Sequence, residues 1–140
     1  MSTPNWRIIL NDTEVAAPVT ALWIKIVDFV QGPCRLLIQA RETWQYAPGS
    51  VCGPDGDPSH GFDEHNLHKS ALKACLLAKV GGSPGDTPGS EKIAAIGSYC
   101  VFEISAGTGG PVFVSMNDNP KSFAGHGGKL KITVSQAPAL

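Results

Sequence analysis

Two runs near the C-terminal end alternate apolar and polar side chains with a period of two. Val112, Val114 and Met116 alternate with Phe113, Ser115 and Asn117, and Leu130, Ile132 and Val134 alternate with Lys129, Lys131, Thr133 and Ser135. A period of two puts one face of an extended chain against a core and the other toward water, so both runs are predicted strands. Shorter runs of the same kind lie at Trp6–Leu10, at Leu36–Ala40 with a predicted extension to Trp44, and at Cys100–Ile104. Ala21–Val30 is ambiguous, because Lys25 and Asp28 stand at helical spacing. Its β-branched Ile24, Ile26, Val27 and Val30 decide for a strand. Ala74–Val80 reads as a further strand, and Asn66–Ala74 as a helical turn capped by Asn66. The 16 glycines and 11 prolines cluster between these runs, as at Gly81–Gly89 and at Thr108–Pro111, where a hairpin turn is predicted. About seven or eight short strands joined by Gly/Pro turns predict an all-β fold. The expected form is an antiparallel, jelly-roll-like β-sandwich with two sheets of about four strands. It forms a single domain over residues 1–140, with the long loops gathered at its ends. The tail from Gln136 to Leu140 is expected to fray.

Composition removes several function classes. The formal net charge of -1 leaves no basic face for nucleic acid. No stretch approaches the roughly 20 apolar residues of a membrane span. The opening residues lack a charged segment leading into a long apolar run, so the expected location is the cytoplasm or an export route without a signal peptide. Cys34, Cys52, Cys75 and Cys100 are scattered without a CxxC pair, which argues against a zinc ribbon. Free thiols are expected for most of them. Cys100, in phase with Phe102 and Ile104, is expected to be buried.

Two stretches carry residues suited to chemistry. Met116–Gly128 holds Asn117, Asp118, Asn119, Ser122 and His126 on a glycine-rich loop between two strands. Oxygen donors on such a loop can line a hard-cation or sugar site. The same residues also make an Asx-Pro turn and a hairpin loop. Asp55–His68 concentrates acids with His60, His65 and His68, and a metal site would draw on these histidines and a carboxylate. The spacing is not HExxH, and no serine sits in a nucleophile elbow. A metal-dependent hydrolase is therefore a minor alternative, and no enzyme is expected.

From Trp44 onward the chain resembles the bacterial calcium-dependent galactophilic lectins of the PA-IL type. Tyr46-Ala-Pro is similar to that family's Tyr-Gly-Pro, and Cys52-Gly-Pro-Asp-Gly-Asp57 to its Trp-Gly-Pro-Gln-Gly-Asp. Leu76-Leu-Ala-Lys-Val-Gly81 resembles its Leu-Val-Met-Lys-Ile-Gly, and Met116-Asn-Asp-Asn-Pro120 its Tyr-Asn-Asp-Val-Pro. Gly127-Gly128, leading into the last strand, also fits. The resemblance implies a galactose-binding-like sandwich that takes a galactoside-type carbohydrate or glycoconjugate. It implies sugar contacts at His60, Asp63, Asp118 and Ser122. It implies calcium held by the Tyr46 carbonyl, the Asp118 side chain and the Ser122 carbonyl. The family's two consecutive calcium-binding asparagines fall at Gly125 and His126. Glycine offers no side-chain donor, and histidine offers nitrogen where calcium takes oxygen.

The expectation is therefore a carbohydrate-binding, lectin-like protein with a degenerate calcium site. Sugar binding would be weak or altered, calcium weakly held or absent, and no other cofactor is needed. The alternative is a lectin-fold interaction or surface protein that has lost both ligands. Self-association into a homo-oligomer is open.

Overall fold

The computed structural model describes residues 5–140, and the reading of the N-terminus as leaderless rests partly on residues outside them. Two antiparallel sheets form, as expected, but with ten strands rather than seven or eight, divided six and four. The first sheet holds β1 (Arg7–Ala16), β3 (Cys34–Arg41), β4 (Trp44–Ala47), β5 (Ser50–Cys52), β8 (Tyr99–Ile104) and β10 (Gly127–Pro138). The second runs β2 (Ile24–Gln31), β9 (Gly109–Met116), β6 (Leu76–Val80), β7 (Ala94–Ala95). Among the described residues no helix is long and apolar enough to cross a membrane.

Strand β10 organises the first sheet. One edge pairs with β1, and the other pairs with β3 and then with β4 through Gly127 and Gly128. The predicted run from Leu36 to Trp44 is broken at Glu42, which has φ of 79°. A left-handed residue turns the strand out of line, and the chain rejoins β10 two residues later. The tail is ordered rather than frayed: Ala137 is buried, and Pro138 pairs with Cys34.

The core lies between the sheets. Leu36, Ile38 and Ala40 of β3, Val112, Val114 and Met116 of β9, and Leu130, Ile132 and Val134 of β10 interlock there. Phe102 and Cys100, expected inside, are only half buried, because β8 is an edge strand. Ile132 is fully buried on the central strand, whereas Ile104 retains 5% exposure at the edge. Ile132→Ala should cost about 2–5 kcal/mol, more than Ile104→Ala, because the centre cannot collapse around the cavity. Urea midpoints of the two variants check this ranking.

The second sheet is buried on both faces at β6 and β9, while its edge strand β2 is largely exposed on the outer face. Its outer face carries Leu77 and Phe113, covered by Trp23, Leu67, Ala71, Ile93 and Phe123 from the loops. Lys79 is buried there beside the Trp23 and Phe113 rings and paired with Asp86. In β2 the register slips on both sides of Val27. Such a bulge brings Lys25 and Asp28 to one side, where they pair at 3.2 Å despite their helical spacing.

Three predicted local structures differ. The reversal before β9 falls at Ser105–Thr108, where the Thr108 N–H donates to the Ser105 carbonyl at 3.1 Å, and Gly109 and Gly110 already lie in the strand. Residues 66–74 form turns rather than a helical turn capped by Asn66. The loop 117–126 is not a hairpin, since β9 and β10 belong to different sheets. It crosses the end of the sandwich and places its polar residues against the segments at 46–60 and 66–74.

Candidate functional site

The crossing loop begins at Asn117, which is fully buried. Its side-chain oxygen accepts from the His68 N–H at 2.8 Å. Its amide nitrogen donates to the carbonyls of His68, Ala71 and Leu72 at 3.0–3.1 Å. One side chain thus satisfies backbone groups that a helix would have satisfied internally, which is why residues 66–74 need not coil. Asn119 and Pro120 then start a 3-10 turn over Pro120–Gly125, with the Asn119 side chain accepting from the Lys121 N–H at 3.0 Å.

Asp118 points inward, with its side chain 1% exposed. One carboxylate oxygen accepts from the Asn119 N–H at 2.8 Å and from Lys73 Nζ at 3.2 Å. The other lies 2.8 Å from His126 Nε2. His126 Nδ1 lies 2.8 Å from the Pro18 carbonyl oxygen. A carbonyl can only accept, so Nδ1 carries a proton, and one further proton lies between Nε2 and the Asp118 carboxylate. The ring has no exposed side-chain surface and packs on Phe123 at 4.5 Å between centroids. Burial alone would raise the Asp118 pKa; hydrogen bonds from His126, the Asn119 amide and Lys73 together hold it below the ordinary 3.8.

Lys73 joins this cluster to the neighbouring loop. Its ammonium lies 5.2 Å from the centre of the Tyr46 ring, and its carbonyl accepts from the Asp57 N–H at 2.8 Å. Gly56, with φ of 89°, lets the loop close: a Cβ there would stand 2.7 Å from the Lys73 carbonyl oxygen. The Tyr46 hydroxyl donates to Asp57 at 2.5 Å and lies 3.1 Å from His60 Nε2. That hydroxyl has one proton, given to Asp57, so its oxygen accepts from a protonated Nε2, and a neutral His60 keeps its lone pair on Nδ1. Asp57 also accepts from the Ser59 hydroxyl and N–H, and these bonds, led by that of Tyr46, hold its pKa at about 2.

The residues expected at the site therefore divide. Tyr46 and His60 meet at a surface edge together with Asp57, and Asp118 lies beneath, linked to them through Lys73. Asp63 is exposed and accepts from the His65 N–H at 2.8 Å in its own turn. Ser122 is exposed on the 3-10 turn. His65 pairs with Glu64, and His68 Nδ1 accepts from the Ser70 N–H, so the three histidines do not converge. Among the described residues no three His, Cys, Asp or Glu side chains gather to hold a metal ion. The donor set around Asp118 does not fit calcium, because the Lys73 ammonium and the His126 ring nitrogen already occupy the carboxylate. Lys73 was missed as a site builder. Asn117 was read only as one of the loop's oxygen donors, and Asp57 only as part of an acidic stretch and a motif.

No protein-family model matches the chain, and no curated protein matches it. Among solved structures, the EclA N-terminal domain, a PllA-like lectin, matches with a TM-score of 0.60 at 11% identity. The match covers 92% of this chain and 97% of that one. The fold is that of a lectin domain. It runs through nearly the whole length.

Both acids make a pH prediction. Their folded pKa values lie below the ordinary 3.8, so their stabilisation is complete above that value and is lost as pH falls through the folded values. For Asp57 the window runs from 3.8 down to about 2. Urea midpoints should hold steady down to about pH 5 and drop steeply below about pH 4. Asp57→Asn should flatten part of that drop.

Proposed function

We propose that the chain is a carbohydrate-binding protein of the galactophilic lectin kind that works without calcium. A galactoside-type ligand would bind at the edge formed by Tyr46, Asp57 and His60. The observation that carries this reading is the lectin-domain fold, matched over 92% of the chain, with an exposed histidine held in one orientation at that edge. His60 Nδ1 would accept a hydrogen bond from a sugar hydroxyl, with Asp63 and Ser122 on the outer rim. Asp118 would support the edge from beneath, through Lys73, rather than touch the sugar. The cation that the PA-IL-type lectins take from solution would be supplied here by Lys73, with the His126 ring as the carboxylate's second side-chain partner.

Glycan-array binding and calorimetry with a methyl galactoside, each with and without a chelator, test the proposal. Binding should be unchanged by the chelator. His60→Ala should weaken it by about tenfold, the worth of one hydrogen bond. Binding that disappears with the chelator would sink the calcium-free reading. A second reading is a lectin-fold interaction protein without sugar binding, and the near-complete burial of Asp118 favours it. Its mark would be a folded protein that retains no glycan.

A further inference from the structure

A cleft of about 480 Å³ opens on the far side of the crossing loop, between residues 65–69, residues 87–91 and Pro120. Its walls are tied together, because the Lys69 N–H donates to the Ser90 hydroxyl at 3.3 Å. Its floor is fixed by the Leu67 N–H, which donates to the Asp118 carbonyl at 3.2 Å. Tyr46, Asp57 and His60 take no part in it.

Asn66 lines this cleft and is 7% exposed. Its amide nitrogen is the one buried side-chain nitrogen or oxygen without a hydrogen-bond partner among the described residues. Native structures pair nearly all such groups, and each exception asks for a missing partner. The terminal torsion of an asparagine is soft, so a small rotation presents the amide to the cleft. Lys69 and Glu91 line the same cleft, and neither is in an ion pair among the described residues. The Glu91 carboxylate folds back over Gly89, where a Cβ would collide with it. Pro88 and Pro120 supply apolar wall.

We propose that this cleft is a second, metal-free binding site for one neutral saccharide unit. A pyranose presents hydroxyls that both donate and accept around an apolar ring face. The cleft offers donors in Asn66 and Lys69, an acceptor in Glu91, and proline for the ring face. A purely anionic ligand would meet the Glu91 carboxylate, and a purely apolar one would leave Asn66 unpaired. The ligand class rests on the saccharide-binding reading above; the site itself rests on the cleft and on Asn66.

The test is a nitrogen-15 chemical-shift titration of the whole chain with methyl β-galactoside, methyl α-mannoside and methyl α-fucoside. The expected result is that at least one sugar moves the Asn66 side-chain amide and the Lys69, Ser90 and Glu91 amides. Asn66→Ala should weaken that binding at least tenfold. Because Asn66 is buried, Glu91→Ala and Lys69→Ala on the exposed rim serve as second variants, each expected to weaken it severalfold in a folded protein. Shifts confined to Tyr46, Asp57 and His60 would overturn this site and leave the proposed function standing. Shifts confined to the cleft support the site and move the function to it. No shift with any of the three sugars overturns both.

Discussion

His126→Ala is expected to destabilise the fold by about 3–5 kcal/mol, because two buried groups lose a hydrogen-bond partner at about 1–3 kcal/mol each and the ring leaves a cavity. Three losses coincide. Asp118, 1% exposed, keeps Lys73 and one backbone amide but loses its hydrogen bond to the ring. The Pro18 carbonyl loses its donor. A cavity opens beside Phe123, against which the ring packs. His126→Phe separates hydrogen bonding from volume. It refills the space without a hydrogen bond to either oxygen, so it should be nearly as damaging as alanine. Urea unfolding at neutral pH reads both variants. If phenylalanine restored the wild-type midpoint, packing rather than hydrogen bonding would be what His126 supplies.

The sandwich was legible because its strands are patterned one at a time. Leu36, Ile38, Leu130, Ile132 and Val134 announce their face by alternation alone, and all are buried in the core. Alternation is silent where both faces are covered. In β6, Leu76, Leu77 and Ala78 are all buried, and so is Lys79, because loop residues roof the outer face of that sheet. It is equally silent about which strands pair. The loop between β9 and β10 resembled a hairpin, since nothing local records that its two strands belong to different sheets.

The candidate site was legible only where its chemistry is local. Asn119-Pro120 announces the start of the 3-10 turn, and the oxygen-rich 117–119 run marks a loop with buried polar work to do. Departure from the PA-IL-type pattern at Gly125 and His126 pointed to two absent side-chain ligands, but not to what surrounds Asp118 instead. That required Lys73, 45 residues from Asp118, and Pro18, 108 residues from His126. A lysine in a turn has no pattern that distinguishes a solvated ammonium from one aimed at a buried carboxylate.

Asn117→Ala is the second large effect, expected at about 3–5 kcal/mol, because each buried group left without a partner costs about 1–3 kcal/mol and water entering the space recovers part of the total. The His68 N–H loses its acceptor, and the carbonyls of His68, Ala71 and Leu72 lose a shared donor. The damage should be uneven. Residues 66–72 hang on this side chain, whereas the sheets have their own ladders, so hydrogen exchange should quicken at His68 and its neighbours well before β3 or β10. Asn117→Asp sharpens the test because its shape is unchanged. It keeps an acceptor for the His68 N–H but turns a carboxylate toward three carbonyl oxygens, replacing three attractions with three repulsions. Aspartate should therefore be at least as destabilising as alanine at neutral pH. Near-wild-type stability of Asn117→Asp would show that residues 66–72 hold their shape without this residue.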